Sequence, residues 1–124
     1  MKHLTRLIMS ILLVPLVFGF ATGTAGAVEK MPTTTANVKV LLDNDQVKVV
    51  EALRPPGTKV PMHTHPAYIA YFFSPCKMKL TSSDGKTKVK EFKAGQVVWS
   101  TGKTHAAEVL GTADQHVLLI ELKK

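Results

Sequence analysis

PMHTHPAYIAYFF, residues 61–73, sets two histidines one residue apart and follows them with a stretch free of charge. Histidine is costly to bury without a partner, so the pair asks for one. Side chains two apart on a strand point to the same face. His63 and His65 therefore project together, close enough to grip one ion. A third ligand must come from elsewhere in the chain. His105, after WSTGKT, is the best candidate and His116 the reserve, while His3 lies in an N-terminal leader. The cofactor expected is one divalent metal ion: zinc, iron, manganese, nickel or copper. Affinity for imidazole does not choose among them.

The elements that must position these residues read as strands. VKVLL (38–42) and QVKVVEALR (46–54) flank the turn cluster DND, and PPG (55–57) stops the second. YIAYFF (68–73) and CKMKLTS (76–82) follow. In the latter, Cys76, Met78, Leu80 and Ser82 share one face, and Lys77, Lys79 and Thr81 the other. Asp84-Gly85 signals a tight hairpin into KTKVKEF. VVWS, HAAEVL and QHVLLIEL complete the set. No stretch holds a helical period over several turns. Short strands at regular spacing predict an all-β sandwich or barrel.

The first residues belong to a different kind of segment. MKHLTR is basic, LIMSILLVPLVFGF is apolar, and ATGTAGA is rich in small residues. That order predicts a signal peptide over 1–27, cut after Ala27, and a periplasmic or secreted protein. The apolar run is shorter than the roughly 20 residues that span a bilayer. No stable membrane anchor is expected after cleavage. Residues 28–37, Thr-rich and without an apolar period, read as a flexible arm, and 38–124 as one domain.

The mature chain of 97 residues (124 less 27) would carry 14 basic residues, once Lys2 and Arg6 leave, against 9 acidic. Six lysines fall between 77 and 93. They read as the solvated face of a hairpin. Phe92 is the one aromatic residue among them, not the regular interleaving that a nucleic-acid surface would need, so no nucleic-acid partner is expected. Cys76 is the single cysteine, so no internal disulfide forms. Packing, a metal or a second subunit must supply stability.

Two motifs carry a resemblance to the cupin superfamily. Its first motif runs glycine, five residues, His-x-His, three or four residues, glutamate, six residues, glycine. Gly57, His63 and His65 match it. Its second runs glycine, several residues, proline-x-glycine, two residues, histidine, three residues, asparagine. Gly95, Gly102 and His105 match it, with Ser100 where proline is usual. The resemblance spans roughly Val38 to Leu122 and implies a small double-stranded β-helix, or jelly-roll, barrel of the RmlC-like type. It also implies a metal held by His63, His65 and His105, and a homodimer, since related small cupins commonly pair through sheet edges. The departures are Ile69 at the glutamate position (Ala70 with the longer spacing) and Val109 at the asparagine. The usual site is three histidines and a carboxylate, and this chain supplies the histidines alone.

Parity counted from His65 puts 67, 69, 71 and 73 on its face if no bulge intervenes. Ile69, Tyr71 and Phe73 are then expected as the dry pocket wall beside the metal, with Trp99 as core or wall. Tyr71 is expected buried and hydrogen-bonded to backbone, and Cys76 to be a small buried hydrophobe. His116 shares a face with Leu118, Ile120 and Leu122, which predicts a core histidine. Glu51 and Glu108 are available as acid or base without fixed geometry, and catalytic residues stay unassigned. Three neutral imidazoles leave the charge of an M²⁺ ion uncompensated, which favours an anionic ligand. Three functions fit: a metal-bearing module for a small molecule, a metal-dependent dioxygenase or isomerase, and a metal-free small-ligand binder.

Overall fold

The computed structural model of the chain describes Glu29–Lys30 and residues 37–124. The expected signal peptide lies outside the described residues. Ten strands follow in chain order: β1 (Glu29–Lys30), β2 (Val38–Asp43), β3 (Val47–Arg54), β4 (Lys59–His65), β5 (Tyr68–Phe72), β6 (Cys76–Ser82), β7 (Thr87–Phe92), β8 (Val97–Ser100), β9 (Lys103–Leu110) and β10 (Gln115–Leu122). Within the segment read as an arm, β1 pairs in parallel with β4, Glu29 opposite His63.

Turn chemistry sets the strand ends. The Asn44 side-chain oxygen accepts the backbone N–H groups of Gln46 and Val47, both at 2.9 Å, and so turns β2 into β3. Gly85, at φ +84°, closes the β6–β7 hairpin, with Ser82 accepting its N–H at 2.9 Å.

The strands form two five-stranded sheets. One runs β1-β4-β9-β6-β7, the other β2-β3-β10-β5-β8. All pairings are antiparallel except β1 with β4. The sheets face each other, and their inner side chains make one core. Val50 and Ala52 of β3, Ala70 and Phe72 of β5, and Met78 of β6 meet Ala107 of β9 there. Phe72 stacks on Phe92 with ring centroids 4.1 Å apart.

The two outer faces differ. On the first sheet Lys77 pairs with Glu91 at 3.4 Å and Lys79 with Glu108 at 2.7 Å, a solvated face. On the second sheet Leu53, Tyr71, Val97 and Trp99 are exposed, Trp99 to 57%.

This placement corrects three readings of the sequence. Ile69, Tyr71 and Trp99 point outward, as does Phe73 just beyond β5; none lines the pocket. The cause is the two-residue passage Pro66-Ala67 between β4 and β5, which moves the chain to the other sheet and reverses parity. Tyr68, Ala70 and Phe72 face inward instead. His116 is not in the core either. It is half-buried on the outer face, donating to Glu51 at 2.8 Å and lying against Phe73. The inward residues of β10 are Gln115, Val117, Leu119 and Glu121. Cys76 is buried, in keeping with its reading as a small hydrophobe.

Candidate metal centre

The site begins with a bulge. Val60 of β4 opposes Ala107 of β9, and His63 opposes His105. β4 thus spends three residues where β9 spends two, so Val60 and His63 both face inward. Pro61 sits in this bulge, where its missing N–H costs no ladder hydrogen bond. Its carbonyl oxygen accepts the His63 Nδ1 proton at 2.7 Å. Two residues on, His65 points the same way, opposite Lys103. Gly102 lets β9 start there. It lies at φ +108°, and a Cβ on it would meet the His65 carbonyl oxygen at 3.0 Å.

The histidine pair has fixed tautomers. His65 Nδ1 donates to Glu121 Oε1 at 2.7 Å, and His63 Nδ1 donates to Pro61. A carbonyl and a carboxylate only accept, so both Nε2 atoms present lone pairs. Those two atoms stand 2.8 Å apart. Lone pairs at that distance repel unless a proton or a cation lies between them. The His105 ring completes the group, with centroids 4.8 Å from His63 and 5.3 Å from His65. Among the described residues its buried Nδ1 has no hydrogen-bond partner. One ligand atom from each histidine lies within 4.8 Å of the others. Two facing lone pairs beside an orphaned ring nitrogen fit the donor set of a metal ion. A divalent ion held by three imidazoles would keep open coordination positions and act as a Lewis acid.

Electrostatics keep His63 and His105 in their ligating form. Burial lowers the His63 pKa below its ordinary value. Burial, then the neighbouring His63, His65 and Lys103, brings His105 down to about 3. Unprotonated imidazole is what a metal requires.

Glu121, Tyr68 and Arg54 escaped the sequence reading. Glu121 is 4% exposed on β10, opposite Tyr68 on β5 and Lys48 on β3. Tyr68 lies 5.0 Å from the His65 ring, hydrogen-bonds Ser100, and has its pKa raised by burial. Arg54 closes the inner end of β3, where its Nη1 donates to Gln115 Oε1 at 2.8 Å. Alternation in QHVLLIEL could have exposed Gln115 and Glu121 as one face, but the other face is the more apolar. Glu51 and Glu108, the acids singled out from sequence, pair with His116 and Lys79, outside the cluster of His63, His65 and His105.

The three histidines open on a cavity of about 80 Å³ between the sheets. Its wall is mainly apolar, with Ala70, Phe72 and Leu119 among its residues. Ala70 occupies the cavity side of β5, so the glutamate position with the longer spacing falls on it and not on Ile69. Cations enter the lining too: Arg54, Lys90 and Lys103.

The arrangement of two facing sheets is similar to that of solved structures. A cupin domain from Bordetella pertussis superposes with TM-score 0.63 at 19% identity, over 80% of this chain and 99% of that one. An RmlC-like cupin with a double-stranded β-helix fold from Methanocaldococcus jannaschii gives 0.57 at 16%, over 82% and 94%. The fold is the cupin fold. A predicted oxalate decarboxylase from Thermotoga maritima shares it at TM-score 0.51 and 24% identity, over 68% of this chain and 78% of that one. No protein-family model and no curated protein sequence matches the chain. The cupin resemblance read from Gly57, His63, His65, Gly95, Gly102 and His105 therefore holds at the level of the fold.

Proposed function

We propose that this cupin holds one divalent metal ion on His63, His65 and His105 and binds, or acts on, a small anionic molecule at that ion. The observation that carries the reading is the pair of Nε2 lone pairs 2.8 Å apart beside the unpartnered His105 nitrogen. Neutral ligands leave the ion without a directly bound carboxylate, Glu121 lying one residue further out behind His65, which favours an anion at the open positions. The test is metal content per chain. His63→Ala, His65→Ala and His105→Ala should each lose most of the metal, while His116→Ala should keep it. Full metal retention by the His105 variant would overturn the assignment. Metal analysis of protein from its own host adds the reaction class, since a redox-active ion favours an oxygenase over a binding module.

The reading includes export and pairing. The leader supports a periplasmic or secreted protein, tested by N-terminal sequencing, which should begin at Val28. The apolar outer face of the β2-β3-β10-β5-β8 sheet supports a homodimer.

A further inference from the structure

β7 carries charge on its inner face. That face is fixed by Phe92, which stacks on Phe72 of the opposite sheet with ring centroids 4.1 Å apart. Alternation then turns Lys90 inward, opposite the buried Met78, and Val89 outward, where it is 52% exposed. Burial of apolar surface alone would favour the reverse. The lysine run read as one solvated face is therefore divided. Lys77 and Lys79 pair with acids outside, and Lys90 lines the cavity.

Lys103 lines the same cavity from another strand. It opens β9 opposite His65, where the chain has just crossed from β8 in the other sheet. β7 and β8 are edge strands of the two sheets and do not pair with each other. Both lysines are exposed, so the cavity reaches solvent at them, and Lys103 feels the charge of Lys90. Among the described residues neither lysine has an ion-pair partner, and no acid lines the cavity. Two like charges set beside a low-dielectric space repel each other and draw in an anion.

We infer that Lys90 and Lys103 together bind the carboxylate of a small organic acid at the mouth of the cavity, with the other end of that acid turned toward the histidines. The two oxygens of a carboxylate can accept from two ammonium groups at once. The wall behind them, mainly apolar, suits a short carbon skeleton. This assignment rests on the proposed reading of the cavity as a site for a small anion. The lysine pair belongs to the chain, however, and acts with or without the ion. Inward charge on an edge strand also discourages pairing between molecules, and the test separates that role from ligand binding.

Malonate and its neutral diamide, malonamide, are suitable probes, titrated by NMR into the zinc-loaded and the metal-free protein. Wild type should bind malonate in both states. Zinc alone would favour malonate over malonamide, so the lysine variants carry the decision. Lys90→Met and Lys103→Met should each weaken malonate several-fold. The double variant should weaken it about tenfold or more in both states, with malonamide unaffected. Lys90→Arg with Lys103→Arg keeps both charges and should keep most of the affinity. Equal malonate affinity in wild type and the double Met variant, or equal loss for malonate and malonamide, would overturn the inference. So would a double variant that aggregates yet binds malonate as before, the result expected of an edge guard. Lysine-dependent malonate binding in a protein that takes up no zinc would sink the metal reading and leave this one standing. Zinc uptake with malonate affinity indifferent to both lysines would do the reverse.

Discussion

Glu121 fixes what His65 is able to do. By accepting the Nδ1 proton at 2.7 Å it holds the ring orientation and leaves Nε2 as the donor. Carboxylates behind a ligating histidine commonly contribute about 10–100-fold in metal affinity. Glu121→Leu should weaken zinc by that order in competition with a chromophoric chelator. Glu121→Gln keeps an acceptor oxygen and should lose less. The metal-free protein should also be sensitive to acid. His105 takes its proton at about 3 when folded and near 6.5 when unfolded. Below that unfolded value the unfolded chain binds more protons than the native one. Stability therefore falls from about pH 6.5 toward 3, and this ring adds no further loss below that. The lowered His63 acts in the same direction. Urea midpoints across that range should decline, and His105→Leu should flatten the slope. A midpoint flat in wild type would contradict the burial of these rings. The histidine pair was legible because its spacing is local. Glu121 was not, because it meets His65 across 56 residues of chain and sits in an apolar run that resembles a solvated end.

At the scale of the element, every strand named from sequence exists, and most ends fall within a residue or two. What could not be read was which way β5 and β10 face. Both sides of these strands are apolar, so alternation carries little information. The parity count from His65 also failed at Pro66-Ala67, where the chain changes sheets. Paired substitutions test the corrected orientation. Ala70→Glu places a carboxylate in the cavity, where it should tighten metal binding. Ile69→Glu places it on the outer face, where metal affinity should not change. Gain of affinity in the Ile69 variant would restore the original parity. The start of β9 gives a second test. Gly102→Ala forces a side chain at φ +108° against the His65 carbonyl. It should cost about 1–3 kcal/mol of stability, measured by thermal or urea unfolding. It should also lower metal affinity, because the residue displaced is His65, one of the proposed ligands.

Charge and apolar surface divide the whole molecule. The chain is strongly basic, with 16 Lys and Arg against 9 Asp and Glu. Yet the outward residues of β3, β10, β5 and β8 include no lysine or arginine, and Glu51 is their one acid. A second copy can approach that face without charge repulsion, burying Leu53, Tyr71, Val97 and Trp99. Val97→Lys combined with Trp99→Lys should convert a dimer to a monomer in light scattering, with metal content unchanged. A wild-type protein that is monomeric at high concentration would refute the pairing. The two-sided sheet has a further consequence, for how β10 finds its place. If β10 slipped by one residue, Leu118, Ile120 and Leu122 would enter the core in place of Val117, Leu119 and Glu121. Hydrophobicity alone would reward the error. What forbids it is polar: Gln115 would leave Arg54, and Glu121 would leave His65, each breaking a buried hydrogen bond. In this barrel the greasy residues supply the adhesion, and the two buried hydrogen-bonded pairs carry the address.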